Sequence, residues 1–432
     1  MRFILIIGKG LWLFLFLIST SLNAQITRQP YLQMITPTSV IISWHSGTGV
    51  IGKVYWGTSI SSLTGKITES DYEEIYHEVE IKGLIPDTKY YYAVDDSTKT
   101  IEEQYFITAP MAGSSNPVRI WVISDFGQSD SDQNKRRLET IAQWKSFNNN
   151  SYHADIVLSL GDQTEDDSRY QLQHNYFMQL KNVLLNSPLF TVIGNHDNHD
   201  SFHNYLSTFA LPTKAEAGGV PSGTEKYYSF DYANIHVVVL CTEIDDVEGN
   251  KAQVEWLKKD LENNRQDWLI SCMHRPFHSG GYHRSDLEQD FQDRRNEWLP
   301  VLEDHGIDLV LQGHNHVYER SYMLDNLLGK TTSLTDVNIV NRGLGREDKD
   351  GVYRKKKSTP HQGTIFIEIP GGGVTTENFE HYPIFPVYYS DYDYQGSLVI
   401  DVHDNRMDVH FLCDESDEKG SHIWDYFTII KD

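Results

Sequence analysis

Apolar and polar positions change rhythm along this chain. Between about residues 27 and 108 they alternate with a period of two. The runs at 39–44, 52–56, 77–81 and 89–94 place an apolar or aromatic side chain at every second position, as a half-buried strand requires. Turn residues separate the runs and no helical period intervenes, which predicts a β-sandwich with Trp44 in its core. The stretch 109–117, rich in proline, glycine and serine, closes this region. From residue 118 continuous apolar runs at 118–124, 155–160, 189–193, 235–240, 268–273 and 308–311 alternate with helical stretches near 133–147, 170–185, 252–263 and 287–304. Strands alternating with helices predict a layered α/β domain. The last third returns to strands at 364–369, 397–402, 407–412 and 426–430. Residues 325–362 are polar and basic, with Arg354-Lys355-Lys356-Lys357, and read as a solvated surface insertion.

The chain begins differently. Arg2 and Lys9 give a basic start, an apolar run follows at 11–18, and Ser19-Thr20-Ser21-Leu22-Asn23-Ala24 leads to Gln25, the pattern of a cleaved signal peptide. Gly8-Lys9-Gly10 interrupts the apolar stretch, leaving less than the roughly 20 residues of a membrane-spanning helix. The expected organisation is a signal peptide at 1–24, a β-sandwich at 25–110, a linker at 111–117 and a catalytic domain at 118–432. No later segment is apolar enough to span a bilayer, so the mature chain is expected in a periplasm or outside the cell, with no membrane span.

Charge narrows the function. The 432 residues include 37 basic and 61 acidic side chains, a formal net charge of −24. A non-specific nucleic-acid binder presents a basic face, so no nucleic-acid partner is expected. Anionic substrates are also disfavoured, unless bound cations reverse the local field. Cys241, Cys272 and Cys413 are too few and too scattered for a disulfide framework or a thiolate zinc site.

Five apolar runs end in residues of ligand type. They lead into Asp125-Phe126-Gly127, Gly161-Asp162, Gly194-Asn195-His196-Asp197, His274, and Gly313-His314-Asn315-His316. In α/β sheets the carboxyl ends of strands line the ligand crevice. The set holds oxygen and nitrogen donors without sulfur, which suits Zn, Mn, Fe or similar ions. Asp-Phe-Gly also occurs in kinases, but no Gly-rich loop or catalytic-loop motif accompanies it.

In this order the motifs resemble the calcineurin-like metallophosphoesterases and, within them, the purple acid phosphatases. That pattern is Asp-x-Gly, Gly-Asp-x-x-Tyr, Gly-Asn-His-Asp/Glu, a strand-ending His and Gly-His-x-His. The stretch Gly313-His314-Asn315-His316-Val317-Tyr318-Glu319-Arg320-Ser321 is similar to purple acid phosphatases, as is a first region opening with Arg28-Gln29-Pro30-Tyr31-Leu32. Residues 83–90 resemble the turn and tyrosine before a late strand of fibronectin type III domains. The resemblance spans nearly all of the mature chain. It implies an N-terminal all-β sandwich, fibronectin III-like, followed by an α/β metallophosphoesterase domain of two packed sheets flanked by helices. It also implies two metal ions, one held by Asp125, Asp162 and His316, the other by Asp162, Asn195, His274 and His314, with Asp162 bridging. His283, in Ser279-Gly280-Gly281-Tyr282-His283-Arg284, corresponds to a position that contacts substrate phosphate.

The chemistry agrees with that implication. Two cations about 4 Å apart need a bridging carboxylate, and they lower the pKa of a water so that it attacks phosphorus. They also neutralise substrate oxygens, which removes the objection from the net charge. His196, beside Asn195, is placed to protonate the leaving alkoxide, with Asp197 to orient its imidazole. The chain departs from the pattern at one position: Glu165 stands where the family carries a tyrosinate ligand, so an Fe(III)-tyrosinate colour is not expected. Glu165 is either a metal ligand or a solvated acid at a helix start. The expected protein is a secreted binuclear-metal phosphatase acting on small phosphomonoesters. A phosphodiesterase or nucleotide hydrolase, and a catalytically weakened surface binding protein, are the alternatives.

Overall fold

The computed structural model describes residues 25–94, 104–127, 131–357, 359–371, 387–391, 395–413 and 423–432. The expected signal peptide lies outside them. Two mixed sheets form the centre. The first runs in the order Tyr353–Lys355, Ile423–Lys431, Arg406–Cys413, Gly396–His403, Val118–Ile123, Ile156–Ser159, Pro188–Thr191, Ile26–Gln33, Ser39–Val50 and Glu74–Lys82. The second runs Tyr228–Tyr232, Ile235–Val239, Trp268–Cys272, Leu309–Gln312, Ile365–Glu368, Tyr318–Ser321 and Val387–Asp391.

The continuous apolar runs become the parallel centres of both sheets, Val118–Ile123 with Ile156–Ser159 and Pro188–Thr191, and Ile235–Val239 with Trp268–Cys272, Leu309–Gln312 and Ile365–Glu368. Nearly every residue of these strands is buried, as expected for strands covered on both faces. The sheets pack face to face through aromatic pairs: Phe190 stacks on Phe230 at 3.9 Å, and Tyr318 on Phe411 at 3.9 Å. Helices Ser131–Phe147, Val247–Asn263 and Gln289–Glu303 lie where the sequence period placed them. The stretch expected as one helix at 170–185 is Arg169–Gln171, a wide turn Leu172–Phe177, and Met178–Leu184.

The first region is not closed on itself. Strand Ile26–Gln33 pairs in parallel with Pro188–Thr191, in register Leu32 with Pro188 and Gln33 with Leu189, so the first sheet is continuous across both regions. A separate four-stranded sheet, Gly65–Thr68, Lys53–Gly57, Lys89–Val94 and Tyr105–Ile107, completes the sandwich. Trp44 is fully buried there and stacks on His77 at 4.5 Å.

One expectation is corrected. Residues 325–362 are not a solvated loop throughout, because Tyr353–Lys355 pairs with Ile429–Lys431 at the sheet edge. Lys355 is buried and reaches Asp308 at 2.7 Å, with Lys431 on the same carboxylate at 2.6 Å. Asp308, buried at the start of Leu309–Gln312, accepts the Leu269 N–H, and a buried carboxylate of this kind needs paired cations. Among the described residues no helix is long and apolar enough to cross a membrane.

Candidate metal centre

The site assembles where the carboxyl ends of the parallel strands of both sheets meet. Asp125 follows Val118–Ile123, and Asp162 follows Ile156–Ser159 on the neighbouring strand. Asn195 and His196 lie on the short helical turn Asn195–Asp197 after Pro188–Thr191. The second sheet supplies His274 after Trp268–Cys272, and His314 and His316 after Leu309–Gln312.

Hydrogen bonds and close approaches join the two sets. His316 Nε2 lies 3.2 Å from Asp125 Oδ1. His274 Nε2 lies 3.3 Å from Asp162 Oδ2 and 3.1 Å from Asn195 Oδ1. Ligand atoms of Asp162, His274 and His314 all lie within 4.8 Å of one another. Asp162, Asn195, His274 and His314 therefore form one cluster, and Asp125 with His316 forms an adjoining pair, joined to it by the His314 N–H that donates to Asp125 Oδ2 at 3.2 Å. Four of them, Asp125, Asp162, His314 and His316, hold φ values of +53°, +52°, +80° and +55°. Left-handed backbone is unfavourable for residues with a Cβ, and its concentration here marks positions that the fold over-determines.

Two glycines make room. A Cβ on Gly194 would meet Asp162 Oδ1 at 2.1 Å, and one on Gly313 would meet Ser124 Oγ at 2.1 Å. The motif glycines are thus required by close approach, Gly194 to Asp162 and Gly313 to the Ser124–Asp125 turn.

The donor set is one that cations complete. His274 is fully buried and its Nδ1 faces the Leu160 carbonyl at 2.8 Å, which presents Nε2 to the site. Burial lowers the basicity of His274, yet Asp162 first and Asp125 next push its pKa up to about 10. Burial alone would raise the Asp125 pKa, and His316 above all holds it down at about 2. His314 is pushed well below the ordinary imidazole value, by burial first and then by the neighbouring His274 and His283. Its Nε2 is buried with no hydrogen-bond partner, in a group with Asp162 and His274. Acidic oxygens, imidazole nitrogens and an orphaned buried nitrogen fit metal ions of the Zn, Mn or Fe type.

The outer residues His196, Asp197 and His283 differ in what they touch. His196 is half-buried; its backbone N–H donates to Asp162 Oδ1 at 2.9 Å and its Nε2 lies 3.9 Å from Asp162 Oδ2. The imidazole is oriented by the Glu165 carbonyl, 2.7 Å from Nδ1, rather than by Asp197. Asp197 accepts from Gly194 N–H at 3.0 Å and Thr164 N–H at 3.2 Å, so its carboxylate ties the loop carrying Asn195 to the loop carrying Asp162. Its short turn points the side chain back onto its own loop, and burial with Asp162 nearby raises its pKa. His283 stacks on His314 at 4.2 Å, with Nδ1 3.2 Å from Glu288. It is positioned at the rim.

Several contributors were not foreseen from sequence. Ser124 donates to Asp125 Oδ2. Asn315 donates to Ser279 Oγ at 2.7 Å and accepts from the His283 N–H at 2.7 Å, clamping the two rim loops. Tyr318 and Arg320 both reach Asp425, at 2.8 and 2.5 Å, anchoring the chain just past His316 to strand Ile423–Lys431. Their place in the Gly313–Ser321 motif was the available signal, without its direction.

Parallel strand ends that converge carboxylates, imidazoles and an amide on one buried point define a metal-dependent phosphoesterase. The calcineurin-like phosphoesterase family matches residues 118–318, and the purple acid phosphatase N-terminal domain matches residues 27–109. The chain is a purple acid phosphatase-like member of the calcineurin-like metallophosphoesterase superfamily. Purple acid phosphatase 23 of Arabidopsis thaliana is 26% identical over 361 residues, covering 71% of this chain and 77% of that protein. A purple acid phosphatase of Glycine max is 30% identical over 314 residues, covering 69% of this chain and 60% of that protein. The fold is similar to that of the purple acid phosphatase PPD1 from yellow lupin (Lupinus luteus) seeds, with a TM-score of 0.70 at 18% identity, covering 93% of this chain and 74% of that one.

Proposed function

We propose that this protein is an exported phosphatase that hydrolyses small phosphomonoesters at a two-metal centre. The observation that supports the reading is the position of Asp162, whose carboxylate lies beside His274 and whose backbone carbonyl accepts from Gly127 N–H on the Asp125 loop, so that it adjoins both donor sets. Asp125, Asp162 and His316 would hold one ion, and Asp162, Asn195, His274 and His314 the other. Bound there, the ions supply an acidified water and neutralise the oxygens of a phosphate group.

The chain's own residues do the rest. The Leu160 carbonyl keeps His274 in the tautomer that offers Nε2 inward. The Glu165 carbonyl holds His196 so that Nε2 faces the site, where it donates a proton to the leaving alkoxide. Asp197 fixes the distance between the two ligand loops through its two backbone hydrogen bonds. His283, stacked on His314 and partly open to solvent, lies at the rim where a substrate phosphate enters. No side chain is needed as nucleophile, so no phosphorylated enzyme forms.

The pattern of residues 1–24 supports export, and the paired sheets of the first region support a fibronectin III-like sandwich. The test is hydrolysis of a chromogenic phosphate monoester against the matching diester, with Fe, Zn, Mn or Mg supplied in turn. Monoester turnover that disappears in Asp162→Asn is expected. Preference for the diester, or turnover that survives Asp162→Asn, overturns the reading.

A further inference from the structure

A cavity of about 310 Å³ lies at the seam between the two regions, away from the metal ligands. The first region contributes Arg28, His45 and Tyr76, and the segment after Asp162 contributes Arg169, Gln173 and His174. No carboxylate is among the described residues lining it, although the chain carries a net charge of −24.

Arg28 is the centre of the case. It is only 4% exposed, yet it forms no ion pair with a carboxylate among the described residues. Its Nε donates to Gln173 Oε1 at 2.7 Å, and its guanidinium lies over the Phe177 ring at 4.0 Å. Its Nη1 is buried without a hydrogen-bond partner. A buried guanidinium normally pairs with an acid, because an uncompensated charge is costly. Arg169 is likewise held by neutral oxygens, Asn204 Oδ1 at 2.8 Å and Ser207 Oγ at 3.3 Å. The positive field is visible in His45, whose pKa burial and then Arg28 and Arg169 lower to about 2.

Two guanidinium groups, two imidazoles, a phenol and a carboxamide match the donor needs of a tetrahedral oxyanion, which arginine recognises through paired N–H groups. We propose that this cavity is a second oxyanion site, distinct from the metal centre, that takes a phosphate group either as the free ion or as the head of a phosphate ester. An occupant there bridges strands Ile26–Gln33 and Ser39–Val50 to the segment Arg169–Leu184, and gives the first region a ligand-binding role of its own.

The test is equilibrium dialysis of the metal-loaded full chain with radiolabelled inorganic phosphate. The double variant Arg169→Gln/His174→Gln changes two exposed side chains and is expected to fold. It should bind one phosphate fewer than the wild type, or bind that phosphate at least tenfold more weakly, while monoester turnover at low phosphate is unchanged. Asp162→Asn should retain the arginine-dependent phosphate, which separates failure of this site from failure of the phosphatase reading. Displacement of the label by phenylphosphonate assigns the site to esters, and displacement by unlabelled phosphate alone assigns it to the free ion. Unchanged stoichiometry and affinity in the double variant, or equal displacement by chloride, overturns the proposal.

Discussion

The tightest test of the metal centre is a single methyl group at Gly194. Its backbone, at φ −99° and ψ 172°, suits any residue, so Gly194→Ala adds no backbone strain. The added Cβ would stand 2.1 Å from Asp162 Oδ1 and 2.3 Å from the Asp162 backbone nitrogen, where ordinary contact begins at 3.4 Å. Relief requires Asp162 and the Asn195 turn to separate by more than 1 Å. One of the two obstacles is backbone, so a rotamer change alone cannot supply it. Overpacking of this kind costs about 1–3 kcal/mol of stability. A displacement of about 1 Å at a catalytic group costs on the order of 100-fold in rate, equivalent to about 2.7 kcal/mol of barrier. The expected result is a kcat/KM about two orders of magnitude below wild type, a lower metal content by elemental analysis, and a lower urea midpoint. Wild-type rate and full metal content in a folded Gly194→Ala protein would show that Asp162 is not held against this turn, and the assignment of Asp162 as the shared ligand would fall with it.

His196→Gln is expected to lower kcat about 10²- to 10⁴-fold for substrates with poor leaving groups. The loss should shrink for p-nitrophenyl phosphate, and equal losses for both substrates would refute proton donation. Glu165→Ala leaves the backbone carbonyl that orients His196, so kcat should change little, and the Fe(III)-loaded wild type should be colourless. A visible charge-transfer band that survives the substitution would contradict this. Asp425 is buried between Arg320 and Arg346, and although burial pushes its pKa up, Arg320 first holds it below the ordinary carboxylate value. Its contribution is therefore present above pH about 4 and is lost as pH falls through the lower folded value. Asp425→Asn should cost about 3–5 kcal/mol at pH 7 by leaving two arginines uncompensated, with the gap from wild type narrowing below pH 4 in urea unfolding.

What the sequence revealed follows from burial. Parallel strands covered on both faces appear as continuous apolar runs, and their ends stand out because a glycine followed by aspartate or histidine is abrupt there. That is why the strand ends at Asp125, Asp162, Asn195–Asp197, His274 and His314–His316 stood out in the sequence, while the choice of six ligands among them came from the family resemblance. The alternation in Ile26–Gln33 shows which face is buried but says nothing about its edge partner, so the parallel pairing with Pro188–Thr191 was invisible. Lys355 looked solvated in a basic run, since its partner Asp308 lies 47 positions earlier in the chain and meets it only in the folded sheet. Asp197 adjoins His196 in sequence, but neighbours on a tight turn diverge, and its carboxylate turns back to the N–H groups of Gly194 and Thr164.

Two buried atoms without partners bear on how so acidic a chain would handle phosphate. His314 Nε2 is buried without a partner beside Asp162 and His274, where a metal ion would complete it. Arg28 Nη1 is a buried donor without a partner beside a cavity that Arg169, His45 and His174 also line, where an anion would complete it. Unpaired polar atoms in a folded interior are rare because each costs about 1–3 kcal/mol. Other buried side-chain atoms among the described residues also lack a partner, so it is the setting of these two that matters: one beside Asp162 and His274, the other against the arginine-lined cavity. Cations at the first convert an acidic cleft into one that attracts phosphate. Arginines at the second do the same without metal, and they do so at the seam where the two regions share a sheet.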